Sequence, residues 1–281
     1  MGIKKIWNAT LAFRKFREKT HELSKIYWVQ QLGVDCLKEM LGKKNANDYA
    51  VKVLPSSFDF RMYPVKVSDT LSSLPDFLDR NRLYLLVVYT AFLESYLKEA
   101  TFFYLATQGY VANMNNTREE LKLNPVGKAI GAPILDKSSV PTMIKYASSL
   151  FEIDFGKNAE DWVKFYQVRC EVAHNGGVAT PDFFKRISGM SLKTNPKEFD
   201  MLGLTWDELR TSMRTADEIA ALIDSKIASY SIQLFEVEQV LRELNALKRL
   251  PKRNQLWTFV HDEYGLKVKT KDKLLLERKF Y

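Results

Sequence analysis

The residues best equipped for chemistry are Arg169 and His174, in the run Arg169-Cys170-Glu171-Val172-Ala173-His174, followed at once by Asn175-Gly176-Gly177. A guanidinium stays charged at any physiological pH and grips phosphate oxygens through a planar fork of donors. An imidazole exchanges protons near neutrality. Together they suffice for cutting RNA without a metal. The arginine holds the scissile phosphate and offsets its growing negative charge, while the histidine moves a proton on or off the ribose 2′-OH or the leaving oxygen. The chain has three histidines, and the other two, His21 and His261, have no partner at ligand spacing and read as surface residues. There is no phosphate-cradling glycine loop, no Gly-x-Ser-x-Gly elbow and no Cys/His metal spacing. No metal and no cofactor is therefore expected.

The motif must be positioned by a helix. Trp162, Val163, Phe165, Tyr166, Val168, Val172 and Ala173 recur at helical spacing from about residue 159 onward. Asn175-Gly176-Gly177 supplies residues that tolerate left-handed backbone angles, as a helix C-terminus requires. Five helical steps put Arg169 and His174 about 140° apart. Both reach one ligand only if the helix unwinds at His174, or if two copies of the motif face each other across a dimer.

Arg169-x4-His174, the Ala173-His174-Asn175-Gly176-Gly177 run and the trailing Val178…Phe183-Phe184-Lys185-Arg186 resemble the HEPN superfamily, in particular its bacterial RiboL-PSP/MAE-type members. The resemblance extends over residues 79–247 and is specific between Val168 and Arg186. It implies an all-α bundle whose Arg-x4-6-His motif lines a cleft, commonly at a homodimer interface. It also implies a metal-independent endoribonuclease of toxin or anti-phage defence, leaving 2′,3′-cyclic phosphate ends and kept in check by an antitoxin or switched on by an activating partner. Arg169 and His174 would be the catalytic pair, Asn175 a helper near the phosphate and Glu94 a residue that orients the pair. Other members of the superfamily bind nucleotides, RNA or proteins without catalysis, and that is the alternative reading. One position departs from the pattern: Cys170 follows the arginine where the family usually carries a polar residue.

Composition sets the wider frame. The 281 residues are 46% apolar, enough for one large domain or two small ones. The net charge of +8 is concentrated at the ends: residues 1–25 carry +5 and residues 248–281 carry +6, around a mildly acidic body. Basic ends suit a polyanionic partner, most simply RNA, with Lys4, Lys5, Arg14, Lys15, Lys252, Arg253, Lys267 and Lys269 as the contacts; solvated helix faces are the plainer alternative. Two distant cysteines, Cys36 and Cys170, make no disulfide framework and fit a reducing cytoplasm. The longest apolar stretch, Leu83 to Leu97, is broken by Thr90, Glu94 and Ser95 and falls short of a membrane span.

The expected architecture is mainly α: a helical bundle with a long C-terminal helix and a small basic β-like tail. Residues 1–48 read as a basic helical segment and 49–78, with Pro55, Pro64 and Pro75, as a linker; Val51-Lys52-Val53 and Val65-Lys66-Val67 suit short strands there. Residues 79–247 form the bundle and 248–281 the basic tail. Arg82 to Gln108 is apolar around almost its whole circumference and should be central, with Thr90, Glu94 and Lys98 as its polar stripe. Glu94 either pairs with Lys98 or orients the motif. Pro181 to Leu204 looks irregular. From Thr215, the residues Ala216, Ala220, Ile223, Ile227, Tyr230, Leu234, Val237, Leu241 and Leu244 form a heptad seam, either laid along the core or free for dimerisation. In the tail, the spacing of Leu266, Val268, Leu274 and Leu276 points to a β-hairpin.

Overall fold

The computed structural model describes residues 9–53, 65–113, 117, 120–136, 138–187, 192–265 and 268–281. Among the described residues every regular element is helical, and extended chain appears only as three isolated bridges. The helices are α1 (Leu11–Gly42), α2 (Ala50–Val53), α3 (Val67–Thr107), α4 (Pro125–Leu135), α5 (Val140–Phe151), α6 (Lys157–Asn175), α7 (Pro181–Arg186), α8 (Trp206–Ile227), α9 (Tyr230–Ala246), α10 (Leu256–Tyr264) and α11 (Thr270–Phe280). No helix is long and apolar enough to cross a membrane, among the described residues. The chain divides into two compact units. One comprises Met1–Lys19, Ala91–Val163 and Thr215–Tyr281; the other comprises Thr20–Thr90 and Lys164–Arg214.

The motif lies in the second unit. Its core joins Leu23, Tyr27, Val34 and Leu41 of α1 to Leu74, Leu78, Leu86 and Tyr89 of α3, positions that recur every three or four residues along each helix. Phe165 and Val168 of α6, Phe183 of α7 and Leu209 of α8 are buried in the same unit. Tyr27 stacks on Trp206 with ring centroids 4.6 Å apart, and Arg82 bonds both Asp79 at 2.5 Å and the Leu204 carbonyl at 3.2 Å. These contacts pin the start of α8 beside α1 and α3.

In the first unit, Leu93, Tyr96, Leu97 and Phe103 of α3 are buried, as are Ile134 of α4, Met143 and Ile144 of α5, and Ile219 and Ile223 of α8. Two carboxylates are buried among them. Asp224 accepts bonds from the Thr10 backbone N–H at 3.0 Å and the Thr10 hydroxyl at 2.5 Å, while Glu236 accepts the Leu11 N–H at 2.8 Å. They satisfy the orphan N–H groups that open α1, where the helix dipole favours negative charge. Burial nevertheless raises Asp224 to about 6 and Glu236 to about 7, against the opposing pull of these hydrogen bonds and of Arg14.

Three expectations need correction. The long C-terminal helix is two helices, α8 and α9. Ser229 takes an extended conformation between them and its hydroxyl accepts the Ile232 N–H at 3.3 Å, so a side-chain cap interrupts the heptad pattern. Six of the nine seam residues, Ala216, Ala220, Ile223, Ile227, Val237 and Leu241, are buried within their own unit, so the seam is laid along the core. The basic tail is helical, not β-like: Leu256 and Val260, and likewise Leu276 and Phe280, stand four apart and close on Val237 and Leu241. Burying those side chains, at about 1.5–3 kcal/mol each, outweighs the weak alternation that suggested a hairpin.

Lastly, the linker is shorter than its prolines implied. Val51–Val53 lies in α2, Lys66 makes one bridge to Tyr49, and α3 begins at Val67 and carries Pro75 inside it.

Candidate functional site

Helix α6 continues through His174 to Asn175, so it does not unwind at the motif. Val168 is fully buried and holds the helix against its unit, whereas His174 at the other end of the motif is exposed. The chain then reverses through Gly176 (φ 61°) and Gly177 (φ 85°), both left-handed, where a side chain would be strained. Beyond them it runs alongside residues 199–202: Ala179 N–H donates to Asp200, Phe199 N–H to Ala179 and Leu202 N–H to Gly177, each at 2.8 Å.

Arg169 is half-buried. Its guanidinium stands 5.9 Å from the centre of the Tyr166 ring, one turn back, and its Nε is shielded from solvent with no hydrogen-bond partner. Arg169 and His174 therefore share one continuous helix and point to different sides of it.

The residue that organises this end of α6 is Glu171, which the sequence reading passed over. It is 1% exposed. Its carboxylate accepts Asn175 Nδ2 at 2.5 Å, Thr180 Oγ1 at 3.2 Å and Arg186 at 2.6 Å, and its carbonyl accepts the Gly177 N–H at 3.0 Å. Asn175 is thus engaged by Glu171 and braces the last turn of the helix. Arg186 of α7 is tied to the motif helix by the same carboxylate. A signal was available: Glu171 stands three residues from the buried Val168, on the inward face of the helix, and a carboxylate there has to be paired. Two further residues near the glycine turn were also missed. Phe199 is 72% exposed with φ 69°, and Met201 is exposed opposite Val178.

The other candidates lie apart. Glu94 belongs to the first unit, and its carboxylate accepts Lys98 Nζ at 2.7 Å. Arg14, expected among the RNA contacts, is turned inward: it donates to the Ala9 carbonyl at 2.9 Å between Asp224 and Glu236, and burial lowers its pKa. Lys15 sits 3.6 Å from Glu99. Lys252 and Arg253 are exposed, Arg253 with both its bonds on Glu277, and Lys269 stands 4.3 Å over the Tyr230 ring. Lys4, Lys5 and Lys267 lie outside the described residues. A cleft of about 570 Å³ between α5 and the start of α6, lined by Lys145, Ser148 and Glu160, is in the first unit and includes neither motif residue. No cluster of His, Cys, Asp and Glu suited to a metal occurs among the described residues. No protein-family model, curated protein or solved structure matches the chain.

Proposed function

We propose that this protein is a metal-independent endoribonuclease of the HEPN type, acting as a homodimer in the cytoplasm in toxin or anti-phage defence. The observation that carries the reading is the exposed imidazole of His174 at a braced helix end, on the same helix as the half-buried guanidinium of Arg169. A purely structural histidine would be buried against backbone carbonyls. Arg169 binds the scissile phosphate and His174 transfers the proton, as general base on the 2′-OH or general acid on the leaving oxygen. Glu171 acts through others: it holds Asn175 and Arg186 and so fixes the turn from which His174 projects. Within the motif's own unit the exposed Phe199 offers a surface on which a base stacks; in the other unit Lys252, Arg253 and Lys269 attract phosphates. An antitoxin or a trigger restrains the activity in the cell.

The second reading, a non-catalytic module that binds a nucleotide, RNA or protein, is favoured by one feature. The continuous helix keeps Arg169 and His174 from converging within a single chain. RNA cleavage in EDTA decides between them. Cleavage by the wild type that vanishes in both Arg169→Ala and His174→Ala, with 2′,3′-cyclic phosphate ends, supports the nuclease. Folded wild-type protein that binds RNA and leaves several RNAs intact supports the binding module.

A further inference from the structure

Helix α1 has two apolar stripes, and only one is buried among the described residues. Leu23, Tyr27, Val34 and Leu41 face the core of the second unit. Ile26, Val29, Leu32, Cys36 and Met40 face solvent instead, Val29 at 71% and Leu32 at 64% exposure. On a straight helix these five, with Gly33, fall within an arc of about 120°. Steps of three and four along Ile26, Val29, Gly33, Cys36 and Met40 make a coiled-coil seam on a helix of 32 residues. A Cβ at Gly33 would meet nothing within 4 Å, so the middle of the seam is open to close approach. Beside it runs a groove of about 560 Å³ lined by Gln30, Phe77, Arg80, Asn81 and Tyr84, in which Phe77 and Tyr84 are also exposed.

The order of residues identifies the occupant, because the middle of the seam and the charges at its ends complement a reversed copy of themselves. About a midpoint between Leu32 and Gly33, Val29 corresponds to Cys36 and Glu22 to Lys43. Lys25 corresponds to Met40 and Ile26 to Glu39, which leaves Ile26 and Met40, and Lys25 and Glu39, each one residue from direct opposition. Both ends carry an exposed ion pair with glutamate before lysine, Glu22–Lys25 at 2.6 Å and Glu39–Lys43 at 2.9 Å, so reversing the helix brings opposite charges together. Laid antiparallel on itself, the helix sets Glu22 against Lys43 of the second copy and Lys25 against Glu39, so each end closes as an alternating network of four charges. A parallel pairing gains none of this, since Glu22 would meet Glu22 and Lys43 would meet Lys43. Leu32 of each copy then sits over Gly33 of the other. A self-complementary patch of this kind is the mark of a two-fold interface.

We propose that residues 22–43 are the homodimerisation surface, pairing antiparallel with the same segment of a second copy about a two-fold axis at Leu32–Gly33. The proposal stands on α1 alone and is independent of the nuclease reading.

The test uses the full chain and a native cysteine. In the antiparallel pair, Val29→Cys lies opposite Cys36 of the second copy. Within one chain the two positions are two helical turns apart, about 10 Å, too far for a disulfide. Oxidised Val29→Cys is expected to run as a covalent dimer of twice 32.6 kDa, with the 29–36 linkage found by peptide mapping. The link should be lost in Val29→Cys/Cys36→Ser. Leu32→Lys is expected to weaken self-association about 100-fold or more in analytical ultracentrifugation, with unchanged circular dichroism. Glu22→Lys alone weakens the dimer and Glu22→Lys/Lys43→Glu restores it, a recovery that general destabilisation does not produce. A wild-type monomer at tens of micromolar overturns the proposal. So does a dimer indifferent to Leu32→Lys, or a wild-type dimer cross-linked Cys36 to Cys36, which would mean parallel helices.

Discussion

Burying Asp224 and Glu236 at the start of α1 gives this protein an unusual pH dependence. Both groups hold their protons more tightly folded than unfolded, Asp224 at about 6 against 3.8 and Glu236 at about 7 against 4.5. Between about pH 5 and pH 8 the folded state therefore binds more protons than the unfolded chain, and stability falls as pH rises. This is the reverse of a carboxylate held low by a salt bridge, whose contribution is lost on acidification. Integrated across that window, at 1.36 kcal/mol per pKa unit, Glu236 contributes about 2–3 kcal/mol of the change and Asp224 about 1–2 kcal/mol.

The groups facing the pair are Arg14, which favours the charged forms, and Tyr96, whose own pKa burial and these two carboxylates push well up. Urea unfolding followed by circular dichroism reads the effect, with Glu236→Gln and Asp224→Asn as the perturbations. The amides keep an acceptor for the Leu11 and Thr10 N–H groups and cannot titrate. Growing repulsion on acidification affects wild type and variants alike, so the quantity to follow is their difference. Wild type minus Glu236→Gln should move by about 2–3 kcal/mol in favour of wild type from pH 8 to pH 5. A difference that stays flat across the window would refute the argument, because the carboxylate would then titrate alike folded and unfolded.

Two other substitutions test the packing account. Glu171→Ala strands Asn175, Thr180 and Arg186 together, and because Arg186 can rehydrate the expected loss is about 2–3 kcal/mol; Glu171→Gln should lose less. Thermal unfolding checks the order, and equal melting temperatures for Glu171→Ala and wild type would remove Glu171 as the brace of the motif. Gly127→Ala trades a helix-propensity gain for a Cβ placed 2.5 Å from Tyr110 Cβ and 3.1 Å from its carbonyl oxygen. Neither neighbour is a flexible end, so a net loss of about 1–3 kcal/mol is expected, and a rise in the urea midpoint would show that the α4 contact is looser than described.

The helical class and the place of the motif were legible because apolar spacing is a local property. Buried positions such as Phe165, Val168 and Leu86 recur every three or four residues in sequence as they do in space. What was lost depends on partners distant in the chain. Nothing near Asp224 announces that it holds Thr10, 214 residues away and just before the start of α1. Arg14 looked like one more cation of a basic terminus, and only the two buried carboxylates turn it inward. In the tail, Leu274 and Leu276 suggested alternation until Leu256, Val260 and Leu241 supplied the surface that selects a helix. Ser229 is an ordinary polar residue inside a heptad pattern, and its role as a cap is decided by the backbone angle the fold imposes. In α1 the sequence showed apolar residues all along, and burial alone separates the stripe that faces inward from the one that faces out.

The continuity of α6 also says how a catalytic site has to be shared if there is one. Arg169 and His174 are separated by about 7.5 Å along one rigid helix and by about 140° around it. A single phosphate within hydrogen-bond reach of both is out of place on that surface, so the productive pair is the arginine of one copy with the histidine of the other. Mixing makes this measurable. Arg169→Ala and His174→Ala proteins are each expected to be inactive. Unfolded and refolded together in equal amounts, they give heterodimers as half of the population, and each heterodimer contains one site with both groups intact. About a quarter of wild-type cleavage should return by that count of a two-fold assembly. If both groups acted within one chain, every mixture would stay dead. Recovery that disappears when Leu32→Lys is added to both partners would make the α1 pairing the contact that assembles the shared site. Recovery that persists would leave that task to a second surface.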